Sequence, residues 1–138
     1  MRPLKDYIGI PFKDKGRDRS GADCWGLFRI FYQEQFGIEL PSHADDYENT
    51  QEGKTIGGLI IKDIEEKWTA IEQGQEKFGD GILIRLMNEP MHVGVITSPG
   101  WFLHCIEGAD SVHETYRSAI WEKRILGIYR LNELCKQP

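Results

Sequence analysis

The sequence predicts an α+β domain in which N-terminal helices pack on a central antiparallel β-sheet of about five strands. Three observations point there. Helical spacing of apolar residues is confined to the part of the chain before Gly74, and short β-type runs follow Gly79-Asp80-Gly81. Helices first and strands later exclude a repeating βαβ unit, which would alternate them. A length of 138 residues supports one hydrophobic core and not two, so residues 1–138 read as a single domain.

Residues 1–10 carry Leu4, Tyr7, Ile8 and Ile10 into Pro11 as a short helix or an extended lead-in. Residues 12–22 are polar, hold Gly16 and Gly21, and read as a loop. Its Lys13, Lys15, Arg17 and Arg19 read as a solvated basic stretch suited to touching an acidic substrate. Ser20 and Asp23 then offer capping side chains, and Leu27, Phe28, Ile30 and Phe31 recur at helical spacing up to Gly37, a natural left-handed C-terminal cap. Phe28 and Phe31 read as core. Residues 38–55 form a polar connection with Pro41, Ser42, Asn49 and Gly53; His43, Asp45 and Asp46 have metal-binding chemistry, but a solvated turn explains them better. From Ile56 a second helix is expected, since Ile60, Ile64, Trp68 and Ile71 make an apolar stripe that ends near Gly74. Strands are expected over Ile82–Leu86, His92–Thr97, Trp101–Ile106, Ser111–Tyr116 and Arg124–Leu131.

Composition narrows the function classes. Hydrophobic residues at 40% and charged residues at 28% are ordinary for a folded domain and argue against disorder. A net charge of -5 argues against a nucleic-acid surface, which would carry a basic stripe. No apolar run approaches the roughly 18 residues of a membrane-spanning helix, so no membrane insertion is expected. Three cysteines without CxxC spacing make no disulfide framework and fit a reducing compartment. Met1-Arg2-Pro3-Leu4-Lys5-Asp6 has no apolar segment of signal-peptide length behind it, which gives a cytoplasmic expectation at synthesis.

The chemistry concentrates at Asp23-Cys24-Trp25-Gly26-Leu27, answered downstream by His92 and His104. A thiol in the first turn of a helix is converted to a usable thiolate by helix-terminal amides and a neighbouring imidazolium. The runs His92-Val93-Gly94-Val95-Ile96 and Trp101-Phe102-Leu103-His104-Cys105 flank Thr97-Ser98-Pro99-Gly100, a hairpin connection by composition. If residue 96 pairs with 100, then 92 pairs with 104 across a three-residue loop and both imidazoles share a sheet face. His104 then orients His92, and His92 withdraws the proton of Cys24. Cys24, His92, His104, Cys105 and His113 also include zinc-ligand types, yet Cys105 and His104 point to opposite faces of their strand, so neither metal nor cofactor is expected. Cys105 reads as core and Cys135 as a tail thiol.

From Ile8 to Arg130 the chain resembles the NlpC-type cysteine peptidases, papain-like cell-wall hydrolases, and among them the variety coded by phages and prophages as tail-tip components. The resemblance rests on Ile8-Gly9-Ile10-Pro11-Phe12, Gly21-Ala22-Asp23-Cys24-Trp25-Gly26-Leu27, Gly79-Asp80, His92-Val93-Gly94-Val95-Ile96, Leu103-His104 and the run from Trp121 to Tyr129-Arg130. Asp-Cys-Trp-Gly-Leu and Phe36-Gly37-Ile38-Glu39-Leu40-Pro41 resemble the phage branch in particular. It implies a papain-like fold and a peptidase that cleaves peptidoglycan stem peptides between a γ-linked D-glutamyl residue and a diamino acid. Cys24 would be the nucleophile, His92 the base and then acid, and His104 the orienting group, with Phe12, Asp23 and Trp25 in the oxyanion and substrate region. Where the family commonly has a tyrosine this chain has Phe12, which offers no hydroxyl. The implied partners are the stem peptide and phage tail proteins, and the implied location is a virion tail. Two alternatives stay open: a tail-assembly protein that keeps the shape and works by docking, and a papain-like acyltransferase using the same thioester chemistry.

Overall fold

A computed structural model describes residues 2–43, 62, 64–86 and 92–135. Among the described residues, one long α-helix lies against a six-stranded antiparallel sheet. A 3-10 turn at Leu4–Tyr7 precedes a small antiparallel pair, β1 (Arg17–Asp18) and β2 (Gly21–Ala22), which leads into α1 (Cys24–Phe36). The sheet strands are β3 (Trp68–Ile71), β4 (Gly81–Ile84), β5 (His92–Ser98), β6 (Trp101–His104), β7 (Val112–Thr115) and β8 (Ile125–Leu131), in the order β3-β8-β4-β5-β6-β7. A short 3-10 turn, Glu122–Arg124, leads into β8, and a helical turn, α2 (Asn132–Cys135), follows it.

The ends of α1 follow from its sequence. The Asp23 side chain accepts a hydrogen bond from the Gly26 amide, and Gly37 takes φ 66° and returns its own amide to Gln33 and Tyr32. Cys24, Leu27, Phe28, Phe31 and Tyr32 are buried and pack with Leu83, Val93, Val95 and Leu103 of the sheet in one core cluster. A second cluster holds Ile82, Ile84, Ile96, Phe102, Tyr116, Trp121 and Ile128. The alternation along β4 and β6 sorts these residues, because neighbours on a strand point to opposite faces.

The second expected helix is corrected in part. Residues 64–67 are helical, but Trp68–Ile71 is a strand paired with β8, Trp68 opposite Leu131 and Ile71 opposite Ile128. The i, i+4 spacing of Ile64 and Trp68 fits a helix, yet Trp-Thr-Ala-Ile also suits a strand, and the open edge of β8 decides between them. This is the sixth strand. Ile56, Ile60, Asp45 and Asp46 lie outside the described residues. The 12–22 loop contains the β1–β2 pair, and its basic residues are not a solvated stretch throughout: Arg19 pairs with Glu34, and Arg17, only 14% exposed, pairs with Asp23 at 2.8 Å.

Candidate active site

Cys24 is the first residue of α1 and is 6% exposed. Three contacts fix the segment that presents it. Asp23, fully buried, caps Gly26 at 2.8 Å, accepts from Arg17 at 2.8 Å and receives the Lys15 amide at 3.2 Å. Phe12 makes a parallel bridge to Ala22, two residues ahead of Cys24, with the Ala22 amide on the Pro11 carbonyl at 2.9 Å. The buried Cys105 thiol, next to His104 in sequence, lies 3.4 Å from the Ala22 carbonyl and ties this segment to the end of β6. Burial and nearby Asp23 push that thiol up to about 12, so Cys105 stays protonated. None of the three cysteines forms a disulfide, and Cys135 is exposed.

The imidazoles meet, by a register that differs from the expected one. Val95 pairs with Leu103, Ile96 with Phe102 and Ser98 with Trp101, with a bulge between Ile96 and Ser98 and a tight turn at Pro99-Gly100. The expected pairing of 96 with 100 is thus replaced by 96 with 102. The difference is two residues, which preserves face parity. His92 and His104 become diagonal neighbours, and His92 Nε2 lies 2.9 Å from His104 Nδ1. Gly94, opposite His104 in this register, leaves the room they use: a Cβ there would stand 2.7 Å from the Phe102 ring and 3.2 Å from the His104 Cβ.

His104 is stacked on Phe102 at 4.1 Å, lies edge-on to Trp121 at 5.2 Å, and reaches Glu114 with Nε2 at 2.7 Å. Burial lowers its basicity, and Glu114 pulls the other way. His92 is fully buried, and burial followed by the neighbouring His104 holds it well below the usual histidine value. Both rings are therefore neutral at pH 7. Among the described residues, His92 Nδ1 has no hydrogen-bond partner, so the Cys24 thiol is not bonded to it in this structure. His92 pairs with Ile84 and lies in register with the second cluster, whereas Cys24 and Val93 belong to the first.

Trp25 is buried, stacks on Phe28 at 5.5 Å and donates its indole N–H to the Pro41 carbonyl at 2.8 Å. A cavity of about 260 Å³ beside α1, lined by Arg17, Arg29, Glu34 and Glu39 among others, touches none of Cys24, His92 and His104. Among the described residues no cluster of three His, Cys, Asp or Glu side chains could hold a metal ion. Two residues near the imidazoles were not picked out as site residues from the sequence, Glu114 and Trp121. The signal for Glu114 lay in strand parity: it pairs with Phe102, so it shares a face with His104 on the adjacent strand.

Comparison with known proteins agrees with this layout. The murein DD-endopeptidase MepS/murein LD-carboxypeptidase of Escherichia coli K12 is 25% identical over 124 residues, which is 90% of this chain and 57% of that protein. The probable endopeptidase NlpC of the same organism is 22% identical over 122 residues, 87% of this chain and 68% of its own length. The chain thus spans little more than half of the MepS protein, at 57%. Among solved structures, the NlpC/p60 domain of the peptidoglycan hydrolase SagA superposes with a TM-score of 0.61 at 18% identity, covering 92% of each chain. A protein from Staphylococcus aureus Mu50, described as similar to an NLP/P60 lipoprotein, gives a TM-score of 0.63 at 19% identity over 91% of this chain and 37% of its own. The helix that opens on Cys24, the two histidine-bearing strands and all but the last residue of β8 fall within residues 9–130, the span matched by the family's sequence profile, and the chain belongs to the NlpC/P60 family.

Proposed function

We propose that this protein is a cysteine peptidase that hydrolyses peptidoglycan stem peptides, at the bond between a γ-linked D-glutamyl residue and a diamino acid. The observation that carries this reading is the bonded His92–His104 pair, which leaves His92 Nδ1 without a partner among the described residues while a helix-start thiol sits in the core cluster of the adjacent Val93. Cys24 is the nucleophile. Its thiol proton passes to His92 Nδ1 as sulfur bonds the carbonyl carbon, because the neutral resting imidazole has a lone pair to receive it. Amides at the start of α1 stabilise the oxyanion. Collapse breaks the C–N bond, the amine leaves with the proton from His92, and water then hydrolyses the thioester with His92 again as base. His104 holds the ring of His92.

Asp23 and Trp25 shape the site by holding the helix start and the 41–43 segment, and Phe12 borders the oxyanion region through its bridge to Ala22. The finer reading is a phage or prophage tail component that opens the wall locally, brought there as part of a virion. Its support is the likeness of Phe36-Gly37-Ile38-Glu39-Leu40-Pro41 and Asp23-Cys24-Trp25-Gly26-Leu27 to that branch. Phe12 favours a second reading, a docking component with the shape and little activity.

Digestion of purified peptidoglycan with mass analysis of the released fragments tests these readings. Wild type is expected to release stem-peptide fragments, Cys24→Ala none, and Phe12→Tyr up to about 10²-fold more if its hydroxyl supplies an oxyanion donor. Cleavage by Cys24→Ala equal to wild type would eliminate the thiol mechanism. No cleavage by wild type or Phe12→Tyr would leave the docking reading.

A further inference from the structure

The site does not end at His104. Glu114 Oε2 lies 2.7 Å from His104 Nε2, and Glu114 Oε1 accepts the Trp121 indole N–H at 2.9 Å. His92, His104 and Glu114 step diagonally across β5, β6 and β7 on one sheet face. We propose that Glu114, clamped by Trp121, is a positioning residue that selects the tautomer of both histidines and so presents the bare Nδ1 of His92 to the thiol. This rests on the peptidase reading for its purpose, but its geometry stands apart from the substrate.

The argument is one of donors and acceptors. A carboxylate accepts only, so His104 Nε2 must carry a hydrogen. A neutral imidazole carries one, hence His104 Nδ1 is a lone pair. His92 Nε2, 2.9 Å away, must then be the donor, and His92 Nδ1 is left as a lone pair. The order is fixed from the carboxylate inwards. Reversing it would put a hydrogen on His92 Nδ1, and that ring could not take the thiol proton.

Trp121 makes the selection testable. Its indole N–H donates and never accepts, so it demands an oxygen on its side of residue 114. In Glu114→Gln that demand claims the amide oxygen and turns the NH2 toward His104 Nε2. His104 must then accept there, donate from Nδ1 to His92 Nε2, and leave His92 in the unproductive Nδ1–H form. Substituting Trp121 as well removes the demand. In Glu114→Gln/Trp121→Phe the amide is free to turn its oxygen back to His104, which restores the original order.

The experiment is 15N NMR of ring-labelled histidine at pH 7.5, combined with the iodoacetamide alkylation rate of Cys24 followed by peptide mass spectrometry. Wild type should show the Nε2–H tautomer at His92 and His104. Glu114→Gln should switch both to Nδ1–H and slow alkylation by about 10²-fold, the scale of losing a general base. The double variant should regain the Nε2–H tautomers and most of the rate. His113, which bonds the Thr97 hydroxyl at 2.7 Å instead, should not change in any of them. An Nδ1–H tautomer at His104 in wild type, or an unchanged tautomer and rate in Glu114→Gln, would overturn the proposal. The single variant decides it even where the double fails to fold. Neither readout needs peptidoglycan, so inactivity on cell walls would count against the peptidase and not against the tautomer relay.

Discussion

Gly94→Ala is the sharpest structural test of the imidazole pair. The strand conformation at Gly94 is not of the left-handed kind, so an added methyl acts through space alone. It would lie 2.7 Å from Phe102 Cδ2, 3.1 Å from the Leu103 carbonyl oxygen and 3.2 Å from the His104 Cβ. Carbon atoms settle about 3.5–4.0 Å apart, so the shortfall against Phe102 is close to 1 Å. Phe102 cannot swing away, since it is fully buried between His104 at 4.1 Å and Trp121 at 5.8 Å. The strands must part instead. Overpacking of this kind costs about 1–3 kcal/mol, a fall in Tm of about 3–15 °C for a domain of this size. Moving β6 away by even half the shortfall stretches the His92–His104 contact from 2.9 Å toward the limit of a hydrogen bond. A misplacement of that order lowers turnover by about 10²-fold. Thermal unfolding followed by circular dichroism, with hydrolysis and Cys24 alkylation on the same samples, reads all three effects. A Gly94→Ala protein with wild-type Tm and wild-type Cys24 reactivity would refute the reasoning that this glycine makes room for the pair.

Two further predictions concern stability. Arg17→Met should cost about 3–5 kcal/mol in urea unfolding, because it removes the guanidinium that pairs with the fully buried Asp23 carboxylate, and Arg17→Met/Asp23→Asn should recover part of it since Asn still caps the helix; a single-variant loss under about 1 kcal/mol would mean the ion pair is dispensable. Stability should also fall as pH drops from about 7 toward 5. Burial lowers both His92 and His104, so below the ordinary histidine value the unfolded chain binds protons that the fold refuses, with a slope up to about 1.4 kcal/mol per pH unit for each ring. His113, also lowered by burial, adds in the same direction, while Glu34 and Glu76, held low, act only toward pH 4.5 and below. Urea midpoints at pH 7.5, 6.5 and 5.5 check this, and a flat wild-type profile would contradict the neutral buried pair.

Local signals in the sequence were enough to place α1 and the five strands β4 to β8. Asp23 and Gly37 bracket the helix by side-chain and backbone chemistry that operates within a few residues, and strand alternation does the same for β5 and β6. The failures are all non-local. Trp68–Ile71 carries apolar spacing compatible with either periodicity, and only the partner β8, some sixty residues on, decides for a strand. Arg17 looked solvated because its partner, the Asp23 carboxylate, becomes buried only when the loop folds under the start of α1. The hairpin register escaped for a subtler reason. A bulge after Ile96 and a two-residue turn give the same face parity as the three-residue loop, so the histidines meet by either route and the sequence does not distinguish them.

That parity has a consequence for how the site is built. The thiol belongs to the core under α1, packed with Leu27, Val93 and Leu103, while the imidazoles lie with Phe102 and Trp121 in the other cluster. Each half is buried by a different set of side chains. The backbone joins them at the end of β6, where His104 stacks on Phe102 of the second cluster and the next residue, Cys105, lies in the first with its thiol on the Ala22 carbonyl. Cys105 therefore does more than fill space: its sulfur donates to the strand that delivers Cys24 while its neighbour His104 faces the opposite way. Cys105→Ala removes that donor and opens a gap in the first cluster beside the segment that carries Cys24, whereas Cys105→Ser restores a donor of smaller radius at the same place. If the sulfur sets the spacing, alanine should slow Cys24 alkylation more than serine does, even though serine places a more polar group in the core. Equal reactivity in the two variants would assign Cys105 to packing alone.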